Sequence, residues 1–534
     1  MLIKFTAGLV LLLAVVVAQE SAAQINHVSA DATNLTLEGR ASQKHFFIAE
    51  LAPYQSSNEL QSLPIVAQVG PGNPFAIPLP RWDGPRDRLY SGFLAFVATN
   101  GTRTPLGNIR FVEKMDGVSI YAEAFPETSS KKGLQVQMVD DAIALGVKHA
   151  ALNVNLAAMI DLSGGTNHFT WQSDGVTYHF RRSVIEILDA QVGPLSHAGM
   201  VVTLILLCYE DADPAINRIM LHPDYSPSAP NHLSAFNTVT PEGCRYFKSC
   251  IEFLADRYSR PPYQQGRAVN FIVGNEVNAH WQWCNLGEAS MEKFAEDYLR
   301  TVRICRTAVR KFSSCGRVYI CLEHHWNIQG DASLKSFRGR AFVDYFGQLA
   351  RAGGDFDWNL AYHPYPEDLT EPRTWNDQTA TRSEDTPRIT FKNLEMLPLY
   401  FSKPELLYQG RQRHIILSEQ GFNMKEVPDG ELWQAAAYCY AYYKTARLPG
   451  IDSFILNRHV DHRNELPLRL GLWRRDESAE SPCQPTTRKM IYEIFRLADT
   501  PQWREAFAFA LPVTGIRQWE DLDLSAPGGA GVKK

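Results

Sequence analysis

The chain alternates between amphipathic segments with helical spacing and short apolar runs, and this alternation limits its fold more than any other feature. Seven such pairs follow one another after residue 113. Their apolar runs are VKHAALNVN, MVVTLILLCYE, AVNFIVGNE, RVYICLEHHW, DWNLAYHPY, HIILSEQGF and DSFILNRHV. Strands that are apolar along most of their length and are separated by helices indicate a parallel sheet covered on both faces.

An eighth strand would complete a closed α/β barrel, the (β/α)8 or TIM barrel, and this is the fold that we predict. VSIYAEAF near residue 120 can supply it, followed by LQVQMVDDAIALG as the first helix. The alternative is an open doubly wound sheet, which normally carries a glycine-rich phosphate-binding turn after its first strand. The sequence contains neither G-x-G-x-x-G nor G-x-x-x-x-G-K-[ST], which argues against that alternative.

The segment before the barrel has a different pattern of apolar residues. Short alternating runs such as HFFIAEL and LYSGFLAFV are separated by turn sequences such as GPGNP and WDGP. This pattern predicts a small antiparallel β domain, sandwich-like, over residues 24–112. We expect the barrel over 113–500 and a C-terminal extension over 501–534.

The N-terminus has the features of a secretory signal peptide over residues 1–23. One lysine precedes a short apolar stretch, and small residues follow near Ala23. The apolar stretch is short for a membrane span, although an uncleaved anchor remains the alternative. We therefore expect a secreted or periplasmic protein without stable membrane insertion after cleavage.

Charge and cysteine content exclude several classes of partner. The chain has 53 basic and 58 acidic side chains, a net charge of −5, which argues against nucleic acid as a partner. None of the nine cysteines has C-x-x-C spacing, and no H-E-x-x-H motif occurs. We therefore expect no metal and no organic cofactor.

Active-site residues of a (β/α)8 barrel lie where the strands end, at their C-terminal ends. Acids, amides, histidines and aromatic residues are concentrated there in this sequence. The candidates at or just after these ends are Asn153, Asn275, Glu276, Trp281, Glu323, Trp326, His363, Tyr365, Glu419, Asn457 and Arg458. A carbohydrate is the expected partner, because tryptophans such as Trp281, Trp283 and Trp326 can stack against the faces of sugar rings.

Two of these acids suit the cleavage of a glycosidic bond. Cleavage with retention of configuration needs one carboxyl group that donates a proton and a second, about 5 Å away, that attacks the anomeric carbon. We predict Glu276, after the fourth strand, as the acid/base and Glu419, after the seventh, as the nucleophile. Glu323 is the reserve nucleophile or a substrate-binding residue.

The motifs that carry these residues resemble those of the clan A retaining glycoside hydrolases. GNE ends the fourth strand, HPY follows the sixth and SEQGF follows the seventh. The resemblance implies that Asn275 contacts the sugar 2-hydroxyl and that Tyr365 or His363 supports the nucleophile. It also implies an aromatic floor near the eighth strand, for which Trp473 is the candidate. The longer motif GNEVNAHWQWCNLG resembles a secreted bacterial barrel family catalogued as a domain of unknown function.

The chain departs from the clan pattern at the second strand. Clan members commonly carry an arginine there that supports the nucleophile, whereas this sequence has Asn153, and Arg458 is the candidate to compensate. A long insertion over residues 366–412 is expected to form a lid or a wall of the cleft.

We therefore predict a retaining glycoside hydrolase that cleaves a β-linked polysaccharide or oligosaccharide. The alternative is a barrel that binds glycans without cleaving them, which the departure at Asn153 leaves open. A serine esterase is disfavoured, because the sequence has no G-x-S-x-G elbow.

Overall fold

The computed structural model describes residues 23–42, 45–70, 73–465, 467–522 and 524. All but the last residue of the predicted signal peptide lies outside these ranges, as does most of the stretch after residue 522. Among the described residues, no helix combines the length and the apolar character needed to cross a bilayer.

Two four-stranded sheets, in the orders β10-β1-β2-β5 and β4-β3-β8-β9, form the N-terminal part of the chain together with a two-stranded sheet of β6 and β7. The strands are β1 (Ala23–Ala30), β2 (Asn34–Ala41), β3 (Phe46–Leu51), β4 (Ile65–Val69), β5 (Phe75–Pro80), β6 (Trp82–Asp83), β7 (Arg86–Asp87), β8 (Gly92–Thr99), β9 (Thr102–Phe111) and β10 (Lys114–Met115). Strand pairs within both sheets are antiparallel, except for β1 with β10. Apolar residues of both sheets, including Leu37 and Phe93, belong to one buried core. The predicted N-terminal β region is confirmed.

Eight parallel strands close into a barrel in the order β11-β12-β15-β16-β17-β18-β19-β20. The strands of this part are β11 (Lys132–Gln135), β12 (His149–Asn155), β13 (His168–Ser173), β14 (Val176–Arg181), β15 (Val201–Leu207), β16 (Asn270–Val273), β17 (Arg317–Glu323), β18 (Trp358–His363), β19 (Ile415–Gln420), β20 (Ser453–Leu456), β21 (Trp473–Arg475) and β22 (Pro485–Arg488). β13 with β14 and β21 with β22 form separate two-stranded sheets. The predicted (β/α)8 barrel is confirmed, whereas the exact domain boundaries stay a prediction.

Helices between the barrel strands and after the last of them complete the α/β architecture. They are α1 (Val139–Ala144), α2 (Leu156–Met159), α3 (Arg182–His197), α4 (Pro214–Met220), α5 (Pro241–Arg257), α6 (His280–Trp283), α7 (Met291–Phe312), α8 (Gly339–Ala352), α9 (Met396–Phe401), α10 (Gly430–Arg447), α11 (Met490–Leu497), α12 (Trp503–Phe507) and α13 (Ala510–Thr514). The longest, α7, buries one face and carries the aromatic residues Phe294 and Tyr298 toward the barrel core.

The first barrel strand is not the predicted one. VSIYAEAF makes only an isolated bridge through Tyr121, and its Ile120 side chain is 57% exposed. The strand lies instead at β11, in the segment predicted to begin a helix. A side chain at Gly133 would come within 2.9 Å of the backbone oxygens of His149 and Phe454, so glycine allows both neighbouring strands to approach there.

Alternation along the strands places polar side chains at the mouth of the barrel. Inward-facing residues such as Ala151, Cys321, Ala361, Ile416 and Ile455 form a buried cluster. Successive side chains on a strand point to opposite faces, so the residue two positions later points inward again, closer to the C-terminal end. These second positions are Asn153, Glu323, His363, Ser418 and Asn457.

A buried ionic network connects the N-terminal sheets to the barrel helices. Glu252 of α5 is 1% exposed, and it accepts hydrogen bonds from the hydroxyls of Tyr90, at 2.7 Å, and Ser173, at 2.6 Å. The Lys311 ammonium of α7 lies 2.8 Å from Glu252 and 3.1 Å from Asp87. Burial opposes ionisation of Glu252, but the Lys311 and Lys248 ammonium groups bring its pKa below the ordinary value. The network is therefore charged and compensated at neutral pH.

Replacing Lys311 with methionine should lower the free energy of unfolding by about 3–5 kcal/mol, because Glu252 and Asp87 lose a buried counterion. Urea denaturation at pH 7 measures this loss. Arg496→Met, which removes an exposed pair with Glu493, is the control and should leave the midpoint unchanged. The deficit of Lys311→Met should shrink as the pH falls and Glu252 becomes protonated. Equal midpoints for the two variants would contradict the role given to the network.

Candidate active site

A cleft of about 360 Å³ opens at the C-terminal ends of the barrel strands. The loops after β16, β17, β18 and β20 line it, together with the ends of β17 and β19. The lining residues that bear on its chemistry are Glu276, Gln282, Trp283, Glu323, His324, His325, Asp331, Lys335, Tyr365, Leu369, Glu419, Asn457 and Glu465. Both predicted catalytic glutamates therefore share one cleft.

Glu276 lies on a sharply turned backbone just after β16. Its φ of 38° and ψ of 53° are in the left-handed region, which non-glycine residues rarely adopt. Its backbone N–H donates to the Cys321 sulfur at 3.4 Å, and its carboxylate lies 2.8 Å from His363 Nδ1. His363 is held in turn at Nε2, 3.0 Å from the Ser418 hydroxyl. The acid is thus fixed by residues of β17 and β18, the two strands that follow β16 in the barrel.

Glu419 receives a hydrogen bond at each carboxylate oxygen. The Tyr365 hydroxyl donates to Oε1 at 3.0 Å, and the Gln135 amide donates to Oε2 at 3.1 Å. Asn457 donates to the Tyr365 oxygen at 2.9 Å and so orients that hydroxyl. Hydrogen bonds donated to a carboxylate stabilise its ionised form.

The two glutamates lie close enough to act on one bond. One carboxylate oxygen of Glu276, one of Glu419 and a ring nitrogen of His363 all lie within 4.8 Å of one another. Carboxyl groups of retaining glycosidases are about 5–5.5 Å apart, whereas those of inverting enzymes are about 6.5–9.5 Å apart. The spacing here fits the retaining arrangement.

The environment of Glu276 favours a bound proton. Burial raises its pKa, and the carboxylates of Glu419 and Glu323 raise it further, although the hydrogen bond to His363 opposes them. Burial lowers the pKa of His363, but the neighbouring Cys321, Glu419 and Glu276 raise it well above its ordinary value. The pKa values of both groups are therefore shifted in the direction that favours a proton on the Glu276–His363 pair.

Glu323 is held as a carboxylate at the end of β17. The Asn278 amide donates to its Oε1 at 2.5 Å, and the His325 backbone N–H donates to its Oε2 at 2.9 Å. Burial raises the pKa of Glu323, but its contacts with His325 and His324 bring that pKa below the ordinary value. Its oxygens are already engaged, which suits a binding or positioning role better than that of a nucleophile.

Two groups of side chains have the spacing for a metal ion: Glu323 with His324 and His325, and Glu276 with His363 and Glu419. Both nitrogens of His325 already have partners, because Nδ1 contacts Glu323 and Nε2 lies 3.2 Å from the Arg388 guanidinium. That guanidinium places a positive charge beside the first group. The expectation that no metal is required stays a prediction.

The remaining amides and Arg458 are distributed around the mouth. Asn275 is half-buried, and its Oδ1 lies 3.7 Å from the Cys321 sulfur. Asn153 is exposed at the end of β12. Arg458 forms an ion pair with Glu465. Gln135 and Tyr365, rather than Arg458, contact the Glu419 carboxylate and give it the support that was predicted from Arg458.

Two of the predicted aromatic contacts are wrong. Trp326 is 1% exposed and packs edge-on against Tyr362 and Tyr400, so no sugar can reach it. Trp473 donates its ring N–H to Asp141 at 2.9 Å and packs against Tyr492, away from the cleft.

The tryptophan that lines the cleft is Trp283. Trp281 lies beside it in sequence but carries the Lys335 ammonium 4.5 Å from its ring. The insertion over residues 366–412 contributes Leu369 to the lining, so it forms part of the wall, and Pro387 accepts the backbone N–H of Trp326 at 2.9 Å.

Sequence reasoning missed Gln135 and Glu465. Gln135 ends β11, and correct placement of that strand would have put it among the strand-end candidates. Glu465 lies in a short 3₁₀ turn, Arg463–Glu465, well beyond β20, and no local pattern marks it.

A sequence profile of a family of unknown function (DUF5722) matches residues 124–522. No curated protein matches the chain. Among solved structures, a family 39 glycoside hydrolase from Bacteroides cellulosilyticus WH2 is similar with a TM-score of 0.43 and 13% identity, over 89% of this chain and 82% of that one. A hyperthermophilic β-glucosidase from Pyrococcus furiosus has a TM-score of 0.44 and 14% identity, over 70% and 86%. A family 1 β-glucosidase from Thermotoga maritima has a TM-score of 0.39 and 12% identity, over 67% of this chain and 84% of that one. At these TM-scores none of the three bears on the activity of this chain.

Replacing Glu419 with glutamine should lower the pKa of Glu276, because the Glu419 charge is one of the causes that raise it. Carbon-13 NMR of protein labelled at the glutamate carboxyl carbons measures this pKa, with Glu276→Gln to assign the signal. Glu477→Gln, on the exposed surface, is the control and should leave the titration unchanged. An unchanged Glu276 titration in Glu419→Gln would show that the two carboxylates are not electrostatically coupled.

Proposed function

The chain belongs to the DUF5722 family of unknown function, and we propose that it is a retaining glycoside hydrolase acting by double displacement. Glu419 is the nucleophile and Glu276 is the acid/base. The observation that carries this proposal is the pair of carboxylates within 4.8 Å of each other in two opposite environments. One accepts two hydrogen bonds, and the other shares a proton with a buried histidine.

In the first step, a Glu419 oxygen attacks the anomeric carbon while Glu276 protonates the departing glycosidic oxygen. The carbon–oxygen bond to the leaving group breaks as the bond to Glu419 forms. Tyr365 and Gln135 hold the Glu419 carboxylate in position, since both donate hydrogen bonds to its oxygens. Burial and the nearby Glu419 charge raise the pKa of Glu276, which favours the protonated form that a general acid needs.

In the second step, Glu276 acts as a base. It takes a proton from a water molecule, whose oxygen attacks the anomeric carbon and releases Glu419. Two inversions return the sugar to its original configuration. The His363 contact at 2.8 Å stabilises the negative charge on Glu276 after it has given up its proton.

The substrate that we infer is a β-linked polysaccharide or oligosaccharide. The resemblance to clan A supports the β linkage, and the open cleft with Trp283 at its wall suits a sugar ring. The N-terminal sequence supports secretion or export to the periplasm. In either location the enzyme would meet glycans outside the cytoplasm.

A barrel that binds glycans without cleaving them was left open by Asn153. The arginine that commonly supports the nucleophile is missing at that strand end, but Gln135 and Tyr365 supply two hydrogen bonds to Glu419. This observation favours catalysis. A binding protein would retain glycan affinity and show no turnover in either the wild type or the Glu419→Gln variant.

Replacing Glu419 with alanine should lower kcat by on the order of 10⁴-fold or more, because no group remains to attack the anomeric carbon. Sodium azide should restore part of the turnover and give a glycosyl azide of inverted configuration. Proton NMR of products from aryl β-glycosides measures both. Glu323→Ala is the matched control, a second buried glutamate of the same cleft, and should show no such rescue. Rescue of Glu323→Ala instead would transfer the nucleophile role to that residue.

Replacing Glu276 with alanine should lower kcat by about 10²–10⁴-fold for substrates with poor leaving groups. Dinitrophenyl glycosides need little protonation of the departing oxygen, so their first step should be nearly unaffected. Azide should then give a glycosyl azide of retained configuration. Equal losses for good and poor leaving groups would remove Glu276 from the acid/base role.

A further inference from the structure

The histidine that contacts the acid/base is closed to solvent on its far side. His363 is 1% exposed, and its Nδ1 lies 2.8 Å from the Glu276 carboxylate. Its Nε2 lies 3.0 Å from the Ser418 hydroxyl and 3.3 Å from the Cys321 sulfur, and both of these side chains are buried as well. Within the described part of the chain, these two are the side chains that contact Nε2. A proton on Nε2 therefore has the Ser418 oxygen and the Cys321 sulfur as its acceptors.

The Cys321 sulfur is placed to accept a hydrogen bond at Nε2 rather than to donate one. Its own S–H donates to the Asn275 side-chain oxygen, 3.7 Å away. The sulfur also accepts the backbone N–H of Glu276 at 3.4 Å. Cys321 thus contacts both the backbone of the acid/base and the histidine that holds its carboxyl group.

The Ser418 hydroxyl can bind either protonation state of His363. A hydroxyl can donate to a bare Nε2 or accept from an Nε2–H. The second hydrogen bond is the stronger one, because a protonated imidazole is a charged donor. Ser418 immediately precedes Glu419 on β19 and is 0% exposed, so no solvent competes for this contact.

The charge on His363 matters because Glu276 has to change its protonation state in each step of the proposed reaction. Burial and the carboxylates of Glu419 and Glu323 raise the pKa of Glu276. A raised pKa suits the acid of the first step but opposes the base of the second. The hydrogen bond and the charge of His363 lower the pKa of Glu276 again. Protonated His363 therefore helps Glu276 to release its proton and to act as a base.

Ionisable side chains surround His363 on several elements. They are Glu276 after β16, Cys321 on β17, His324 after β17, Tyr365 after β18 and Glu419 on β19. Burial lowers the pKa of His363, but Cys321, Glu419 and Glu276 raise it well above its ordinary value. Burial lowers the pKa of His324 to about 4, so His324 adds no positive charge that would oppose protonation of His363.

We propose that Cys321 and Ser418 are positioning residues for the acid/base, which accept a hydrogen bond from Nε2 of protonated His363 and so keep its positive charge beside Glu276. The inference rests on the proposed glycosidase function and adds to it two residues that act on Glu276 through His363. Neither residue touches the substrate, because both are buried beneath the histidine.

The first test follows the protonation of His363 and Glu276 without any substrate. Nitrogen-15 NMR of the imidazole rings and carbon-13 NMR of the glutamate carboxyl groups report the two titrations, with His363→Gln and Glu276→Gln to assign the signals. In Cys321→Ala and in Ser418→Ala the pKa of His363 should fall, because Nε2–H loses an acceptor. The pKa of Glu276 should rise in both, because the neighbouring positive charge is lost more easily.

Two variants control for the loss of a buried side chain. Cys305→Ala in α7 and Ser249→Ala in α5 make the same substitutions at positions that are 0% exposed, and both titrations should stay as in the wild type. Cys321→Ser returns an acceptor and should move the titrations less than Cys321→Ala. Urea denaturation reports whether each variant folds. If Cys321→Ala does not fold, Ser418→Ala and Cys321→Ser carry the test.

The second test separates the two chemical steps with dinitrophenyl β-glycosides. Their first step needs little protonation, so kcat/KM should stay near the wild-type value in Cys321→Ala and Ser418→Ala. Their second step limits kcat and needs ionised Glu276, so kcat at low pH should fall by about 3–10-fold, and KM should fall with it. The loss should shrink as the pH rises and Glu276 becomes ionised.

Unchanged titrations of His363 and Glu276 in folded Cys321→Ala and Ser418→Ala would overturn the inference, as would equal shifts in the two control variants. A loss of kcat/KM on dinitrophenyl glycosides as large as the loss of kcat would overturn it too, because that result indicates a general structural defect. A wild type that hydrolyses no glycoside would overturn the proposed function instead. The titrations need no turnover, so they would still decide whether Cys321 and Ser418 act on His363.

Discussion

Closure of the parallel barrel is the constraint on which the rest of the structure depends. β11 pairs with β12 on one edge and with β20 on the other, so the sheet has no free edge. The pairing also fixes which residues point inward. Once Ala361, Ile416 and Ile455 fill the interior, His363, Ser418 and Asn457 must stand above them at the mouth. Much of the cleft wall is thus a consequence of the same alternation that builds the core.

Two glutamates at that mouth differ because their surroundings differ. Glu419 receives one donor at each oxygen from Gln135 and Tyr365, whereas Glu276 faces His363 in a buried position. Proximity adds to this difference, since the Glu419 charge raises the pKa of Glu276. A pair of carboxyl groups in different environments is what acid/base and nucleophilic roles require.

The outer helices contact the strands that carry this site. Tyr298 of α7 donates its hydroxyl to the backbone oxygen of Val273, the last residue of β16, at 2.6 Å. The same helix carries Lys311, which is paired with Glu252 of α5 inside the ionic network. The N-terminal sheets therefore contact the helices that precede β16 and β17, the strands nearest to Glu276 and Glu323.

The sequence by itself determined the barrel and the position of Glu276, Glu419 and Tyr365 at its mouth. Strand periodicity and strand-end position are local properties of the chain. The sequence did not determine the first strand, since a four-residue segment around Gly133 carries too weak a pattern. Because that strand was misplaced, Gln135 was not among the predicted site residues. Burial of Trp326 depends on the insertion that brings Tyr400 against it, whereas Trp283 lines the cleft. Glu465 reaches the cleft through a turn distant from any strand end. Only the tertiary structure decided these contacts, because each joins residues that are far apart in sequence and whose meeting depends on strand register and loop packing.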